Sequence, residues 1–330
     1  MLNVGIIGLG VGEKHISGFE QDNLARVTHL CDFDSKKKDY LKKKYPGKVI
    51  TDLSDDIIKN KDIDIVSVAS FDNYHYEQII NCIENKKHIF VEKPICLSRE
   101  ELNEIKKRIS DDILISSNLI LRQTPRFKEL KKNADSKMLG KIYYIEASYD
   151  YGRIHKLIEG WRGNIENYSV MLGGGIHLLD LALWITGSRV KDVFAMSSKI
   201  LTSDLIMKNP DFFSSIVRLE DGTILKLNSN YCSATPHFHQ FKVYGTDGSF
   251  FHDVNQGRYF IGRDIDCKIS ICNDSSFSHL SAAIGIPTIV LMADTPLLYG
   301  SYSPKMKPII PDGEQSVTHN TLGKDKINPE

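Results

Sequence analysis

The chain has 330 residues, enough for two domains whose cores need no disulfide or metal to stand. Its 42 basic and 42 acidic residues give zero net charge, which argues against a nucleic-acid or anionic-membrane partner. No apolar stretch approaches the roughly 18 residues of a membrane span, and no signal peptide is evident, so we expect a soluble, cytoplasmic protein. The six cysteines form no close CxxC pairs, which predicts reduced thiols and no metal site.

Short apolar runs alternate with polar helical segments over residues 1–121. The predicted strands are NVGIIGL, ARVTHLCD, IDIVSVAS, KHIFVEK and DILISSNLI. Amphipathic helices separate them, one of which begins at Ser98 with Glu101 three residues on, the pattern of a capping box. This alternation predicts an α/β domain, a Rossmann-type doubly wound parallel sheet.

The pattern changes near residue 122. Longer strands follow, two of them interrupted by Asp-Gly turn signals, and one strong helix, GGGIHLLDLALWITG, ends at Gly187. We expect residues 122–264 to form an α+β domain with an open, mainly antiparallel sheet. Residues 265–330 change character again and are treated as a separate tail segment.

A glycine-rich turn lies between the first strand and the first helix. Gly8, Gly10, Val11 and Gly12 would let the backbone approach a pyrophosphate, although Glu13 stands where the fingerprint has its third glycine. Asp32 ends the second strand, where a carboxylate can accept both hydroxyls of an adenosine ribose. These features favour NAD, and the basic run at 36–38 leaves NADP open.

The third and fourth strands deliver polar residues to the same edge of the sheet. Ser70, Asp72 and His75 follow one strand, where a nicotinamide ribose would lie, although a plain surface turn is an equal alternative. Glu92 and Lys93 follow the next strand. Because ligands of open α/β sheets bind outside the carboxyl ends of the strands, we expect these side chains to face a cofactor.

The order GIIGLG, CDFD, VASFDNYHYE, HIFVEKP, LRQTPRF and GGGIHLLDLALWITG resembles the glucose–fructose oxidoreductase and inositol dehydrogenase (Gfo/Idh/MocA) family over roughly residues 2–264. The resemblance implies that Lys93 contacts the reacting hydroxyl and the nicotinamide ribose. It makes His177 the acid/base for the hydroxyl proton and Asp180 a residue that orients the histidine or binds substrate. A lysine ammonium and a histidine suit these roles chemically.

The chain departs from the family four residues before His177, where many members carry Asp or Asn and this sequence has Gly173. Either His177 works with Lys93 alone, or another polar residue such as Tyr151 or Arg153 substitutes for the missing carboxylate.

Aromatic and arginine residues cluster in the segments that line the substrate side in this family. Aromatics can stack on sugar faces and arginines can fork onto phosphates, which would suit a nucleotide sugar. Ordinary sheet-surface residues are an equal alternative for any one of them. The candidates for substrate binding are Arg122, Tyr151, Arg153, Trp161, Arg162 and Asp180. His237 and His239 alternate along a strand and are expected at the surface.

The tail, residues 269–308, resembles the donor-site segment of heptosyltransferase-type glycosyltransferases. The matching residues are Asn273, Asp274, Ser275, His279, Ala282, Gly285 and Pro287. The segment is too short for a whole transferase, so we expect a βα unit that packs against or extends the second domain.

The sequence thus predicts an NAD(P)-dependent oxidoreductase acting on a sugar. The leading hypothesis is a nucleotide or amino sugar in surface-polysaccharide biosynthesis, and oxidation of a free polyol of the inositol type is the second. A dinucleotide-binding regulator or scaffold without turnover is the third hypothesis. An open sheet face usually pairs with a second copy, so a homodimer or homotetramer is expected.

Overall fold

The computed structural model describes residues 1–253, 256–261, 269–273, 276–292, 301 and 303–309. The chain divides into two compact units. The first contains Met1–Leu119, Trp161–Gly173 and Leu205–Asn209, and the second contains Ile120–Gly160, Gly174–Asp204 and the described residues from 210 onward.

The first unit is built on a six-stranded parallel sheet with strand order 3-2-1-4-5-6. This is the doubly wound arrangement that the sequence predicts. The order reverses between the first and fourth strands, which opens a crevice at their carboxyl ends. The strands are β1 (Leu2–Ile7), β2 (Ala25–Cys31), β3 (Val49–Thr51), β4 (Ile65–Val68), β5 (His88–Val91) and β6 (Ile115–Ser117).

Five helices connect these strands: α1 (His15–Glu20), α2 (Ser35–Lys44), α3 (Asp55–Ile58), α4 (His75–Glu84) and α5 (Arg99–Arg108). The capping box at α5 is present, because Ser98 accepts from the Glu101 amide while the Glu101 carboxylate accepts from the Ser98 amide. Two apolar cores cover the two faces of the sheet. One contains Val4, Ile6 and Ile16, and the other contains Ile57 and Val68 among many others.

The second unit is built on a ten-stranded mixed sheet with order 16-15-14-13-12-11-7-10-9-8. Most neighbours are antiparallel, as expected, and the β7–β10 pair is parallel. The strands are β7 (Ile142–Asp150), β8 (Val190–Ser198), β9 (Phe212–Leu219), β10 (Ile224–Asn230), β11 (Phe238–Gly245), β12 (Gly248–Asp253), β13 (Gln256–Ile261), β14 (Ile269–Asn273), β15 (Thr288–Leu291) and β16 (Met306–Ile309).

The described residues of the second unit include four α-helices: α6 (Pro125–Asp135), α7 (His155–Ile158), α8 (Ile176–Thr186) and α9 (Ser276–Ala283). The long helix α8 follows a π-helical turn, Met171–Gly175, and ends at Gly187 with φ of 67°. That left-handed cap is the helix end that the sequence predicts.

The tail adds three strands to the sheet of the second unit. Strands β14, β15 and β16 pair in parallel, and α9 connects the first two, which makes a βαβ unit. Its small core contains Ala282, Val290, Met292 and Met306. Of the residues that carry the glycosyltransferase resemblance, Asp274 and Ser275 lie outside the described residues. In the structure, the tail therefore extends the sheet of the second unit.

No helix in the described part of the chain has the length and apolarity that crossing a membrane requires.

We predict that Gly12 is required because a side chain does not fit at this position. A Cβ there would lie 2.9 Å from Ile6 Cγ2 and 3.0 Å from Ala69 Cβ. Gly12→Ala should lower the free energy of unfolding by about 1–3 kcal/mol, measured by urea unfolding. Gly18→Ala is the matched control, since a Cβ on that α1 glycine meets no atom within 4 Å and should be neutral or slightly stabilising. Equal effects of the two changes would contradict the packing argument.

Candidate functional site: a cavity at the strand ends of the first unit

A cavity of about 730 Å³ lies at the carboxyl ends of β1, β2, β4 and β5. This volume is in the range of sites that hold a small molecule or cofactor. The cavity brings together most of the residues predicted to bind cofactor, namely Gly8, Gly10, Val11, Asp32, Ser70, Asp72, Glu92 and Lys93. It also includes Phe33, Phe71, Trp161 and Arg162.

The glycine turn is shaped by close backbone approach. Gly8 has φ of +87°, and a Cβ there would lie 2.4 Å from the Ala69 carbonyl oxygen. Gly10 lines the cavity and has no atom within 4 Å of its Cβ position, which leaves room for a phosphate to approach. Gly12, which was also predicted to contact the cofactor, is buried and is not among the residues that line the cavity. It instead supplies the close helix–strand packing of the third fingerprint glycine.

Asp32 is held in a fixed orientation at the end of β2. Its Oδ2 accepts from the Leu9 amide at 2.8 Å, and its Oδ1 accepts from the Asp34 amide at 3.0 Å. A carboxylate fixed at this position suits the two hydroxyls of an adenosine ribose. The open glycine backbone and the fixed carboxylate together fit NAD.

Lys93 lies at the end of β5, half-buried at the cavity. Its Nζ donates to the Gly173 carbonyl oxygen at 2.7 Å. Burial lowers the pKa of Lys93, and the nearby Arg162 lowers it further, while the Asp72 and Glu92 carboxylates oppose the shift. A lysine in such surroundings exchanges its proton nearer to neutral pH than an exposed one.

Glu92, the neighbour of Lys93, is held by a polar network. Its Oε1 lies 3.0 Å from His15 Nε2 and accepts from Asn118 Nδ2 at 2.7 Å. Burial raises the pKa of Glu92, but these hydrogen bonds outweigh it and the pKa falls below its ordinary value. The strand end that presents Lys93 is thereby fixed. His15 and Asn118 were missed from sequence, because only the fold brings them beside β5.

His75, which was predicted to contact the nicotinamide ribose, is not among the residues that line the cavity. The side chain is fully buried, with Nδ1 2.7 Å from the Pro94 carbonyl oxygen and Nε2 3.1 Å from that of Ser70. It therefore joins the segments that follow β4 and β5. The neighbouring Asp72 is buried against the cavity, and this burial raises its pKa although His75, Lys93 and Arg162 oppose the shift.

Trp161 and Arg162 were predicted to bind substrate, and in the structure they line the cavity of the first unit. The Trp161 ring stacks on Phe71 with centroids 4.5 Å apart, and the Arg162 guanidinium lies 4.4 Å from the centre of the Trp161 ring. Phe71 also meets Phe33 edge to face. The two phenylalanines directly follow polar or small residues at strand ends, a position that could have marked them as cavity residues.

The predicted base, His177, lies on α8 of the second unit and is buried. It stacks on Tyr149, which itself contacts Tyr151, Tyr231, His237 and His239. His237 and His239, which were expected at the surface, are half-buried in the structure. Burial and neighbouring histidines lower the pKa of His239 to about 3, so this ring is neutral. The alternation of the two histidines along a strand did not indicate that tyrosine rings pack next to them.

Most arginines near the predicted substrate site of the second unit already have partners. Arg122 forms a two-fold ion pair with Asp180, with its Nε 2.8 Å from Asp180 Oδ2. Both carboxylate oxygens of Asp180 therefore accept from Arg122. Arg126 lies 3.2 Å from His252. Arg153 is exposed, and Tyr151 is buried against Tyr231.

Among the described residues, no group of three or more His, Cys, Asp or Glu side chains is arranged to hold a metal ion.

Comparisons with known proteins agree with this geometry. Residues 2–113 match the model "Oxidoreductase family, NAD-binding Rossmann fold" and residues 127–251 match the "GFO/IDH/MocA C-terminal domain". Myo-inositol 2-dehydrogenase of Thermotoga maritima is 25% identical over 264 residues, covering 76% of this chain and 75% of that protein. Scyllo-inositol 2-dehydrogenase (NAD(+)) of Bacillus subtilis is 26% identical, covering 59% of this chain and 57% of that protein.

The fold is shared with scyllo-inositol dehydrogenase from Lactobacillus casei, solved with bound NAD(H) and scyllo-inositol. The TM-score is 0.67 at 20% identity, covering 79% of this chain and 82% of that one. The matched family regions end at residue 251, so they give no support to the glycosyltransferase resemblance of the tail. The chain belongs to the Gfo/Idh/MocA family of oxidoreductases and has its NAD-binding Rossmann fold.

Proposed function

We propose that the protein is an NAD-dependent dehydrogenase that interconverts a secondary alcohol and a ketone on a free polyol or sugar. The observation that carries the proposal is the position of Lys93, a half-buried ammonium in the same cavity as the glycine turn and Asp32. Two relatives named as inositol dehydrogenases support the substrate class. The relative named D-glucoside 3-dehydrogenase also acts, by its name, on a sugar.

In this proposal the chain supplies binding and proton chemistry. Bound NAD would supply the hydride acceptor. Asp32 binds the adenosine ribose, and the backbone at Gly10 receives the pyrophosphate. Lys93 stabilises negative charge on the reacting oxygen, and His177 takes or returns its proton. This chain has Gly173 in place of a carboxylate residue. The backbone carbonyl oxygen of Gly173 accepts the Lys93 hydrogen bond and holds the ammonium in place.

The charges of the second unit favour an uncharged substrate over a nucleotide sugar. A diphosphate needs free guanidinium groups, but Arg122 is already neutralised by Asp180. Arg126 is half-buried and lies 3.2 Å from His252. Arg153 is exposed beside His237 and is the residue that supports the alternative, a nucleotide sugar of surface-polysaccharide biosynthesis.

We also propose a homodimer or homotetramer that pairs through the open face of the second unit's sheet. Phe194 on β8 is paired with Ile216 on β9, and the two side chains are 69% and 44% exposed. Adjacent exposed apolar side chains on a sheet face favour burial against a second copy.

Substrate class and cofactor binding are tested together. Trp161 stacks in the cavity, so NADH should quench the tryptophan fluorescence on binding. With NAD present, myo-inositol, scyllo-inositol and glucosides should be oxidised faster than UDP-, GDP- or dTDP-sugars, as followed by NADH absorbance. Faster turnover of a nucleotide sugar would select the alternative substrate. Absence of binding by either NADH or NADPH would remove the dehydrogenase proposal, and binding without any turnover would favour the regulator or scaffold.

The catalytic assignment is tested by Lys93→Met and His177→Asn. Each change keeps much of the side chain's shape and removes the group that carries charge or proton. Turnover should fall by about 10²-fold or more in each variant, as expected for loss of an acid/base group. Arg108→Gln is a control for charge loss in the same unit as Lys93, since its exposed ion pairs with Glu84 and Glu104 lie outside the cavity. Full activity in both Lys93 and His177 variants would show that the site is elsewhere.

A further inference from the structure

Glu13 occupies the third position of the glycine fingerprint and is the centre of a dense ion-pair cluster. Its Oε2 lies 2.6 Å from Lys37 Nζ, and its Oε1 lies 2.8 Å from Lys44 Nζ. The hydroxyls of Tyr40 and Tyr45 each lie 3.2 Å from Oε1. The glutamate side chain is only 16% exposed. Because Gly12 already provides the close packing against Ile6, the residue at position 13 is free to carry a function.

One of the bound lysines borders the cofactor cavity. Lys37 lines the cavity together with Asp32, Asp34 and Asp52, the group of residues at its β2 end. Lys38, the next residue, pairs with Asp52 at 2.7 Å. A free lysine at this position would attract the 2′-phosphate by which NADP differs from NAD. Because Lys37 is paired with Glu13, its charge is cancelled at close range. The aspartate carboxylates then make the electrostatic potential negative at this end of the cavity.

We propose that Glu13 is a positioning residue for cofactor choice, which holds and neutralises Lys37 so that the cavity accepts the ribose hydroxyls of NAD and repels the 2′-phosphate of NADP. This inference rests on the proposed NAD-dependent function and assigns a role to a residue that departs from the fingerprint.

The cluster keeps its charges over the whole useful pH range. Burial raises the pKa of Glu13, but the hydrogen bonds and charges of Lys37 and Lys44 outweigh it and lower the pKa to about 2. A carboxyl with that pKa stays ionised above about pH 4. The cofactor preference should therefore not vary between pH 6 and pH 9 on account of Glu13.

The test compares the Kd values of NADH and NADPH, measured by tryptophan quenching without any substrate. The wild-type protein should bind NADH more tightly. In Glu13→Gln the ratio of the NADPH Kd to the NADH Kd should fall by about tenfold, because a phosphate dianion gains from an uncancelled lysine charge in a partly screened site. Raising the salt concentration should shrink this gain.

The double variant Glu13→Gln, Lys37→Met should return the ratio toward the wild-type value, since Lys37 is the group released. Glu20→Gln is the matched control. Glu20 Oε1 pairs with Lys48 Nζ at 2.6 Å in the same unit, but neither residue lines the cavity, so the ratio should stay unchanged. If Glu13→Gln does not fold, Glu13→Asp keeps the charge but shortens the reach to Lys37 and should give a smaller fall.

An unchanged ratio in Glu13→Gln would overturn the inference. Equal weakening of both cofactors would do the same, since it would show a structural role only. If the ratio of the NADPH Kd to the NADH Kd remains lowered in the double variant, Lys37 is not the residue through which Glu13 acts. These outcomes differ from failure of the proposed function, in which the wild-type protein binds neither cofactor and the inference is lost with it.

Discussion

The close approach of two strand ends determines the site. The Gly8 Cα lies against the backbone of Ala69 and Ser70, and no side chain fits between them. The Ala69 amide donates to the Ile7 carbonyl oxygen at 2.7 Å, which ties β4 to β1 where the strand order reverses. When neighbouring parallel strands end at the same level, the residues that follow them lie at one edge of the sheet. Asp32, Phe71 and Lys93 reach one cavity because of this constraint.

Local patterns predicted the first unit well. Five of the six strands, the capped helix at Ser98 and the glycine turn each depend on residues close in sequence, so periodicity and turn chemistry are sufficient. The three-residue strand β3 was not predicted, because it is too short to show a period. Asp32 and Lys93 were found for the same reason, because a residue after a parallel strand has only one edge to occupy.

Features that depend on distant contacts could not be predicted. Nothing local shows that the His75 ring lies between the Ser70 and Pro94 carbonyl oxygens. The Arg122–Asp180 ion pair joins residues 58 positions apart, so both looked available for substrate. His237 and His239 alternate as surface strand residues do, but they contact Tyr149 of β7 and Tyr151 just after β7. The register between β11 and β7, which cannot be read from the sequence, determines how far they are buried.

The return of residues 161–173 to the first unit has a consequence for how the gene can be divided. Trp161 and Arg162 line the cavity, and Gly173 accepts the Lys93 hydrogen bond. All three nevertheless follow Ile120–Gly160, the first segment of the second unit, in the chain. A protein truncated after residue 119 would keep the glycine turn but lose one wall of its cavity and the acceptor of its lysine. Exchange of cofactor-binding units between family members must therefore transfer separate segments together, and a single crossover cannot move this unit intact.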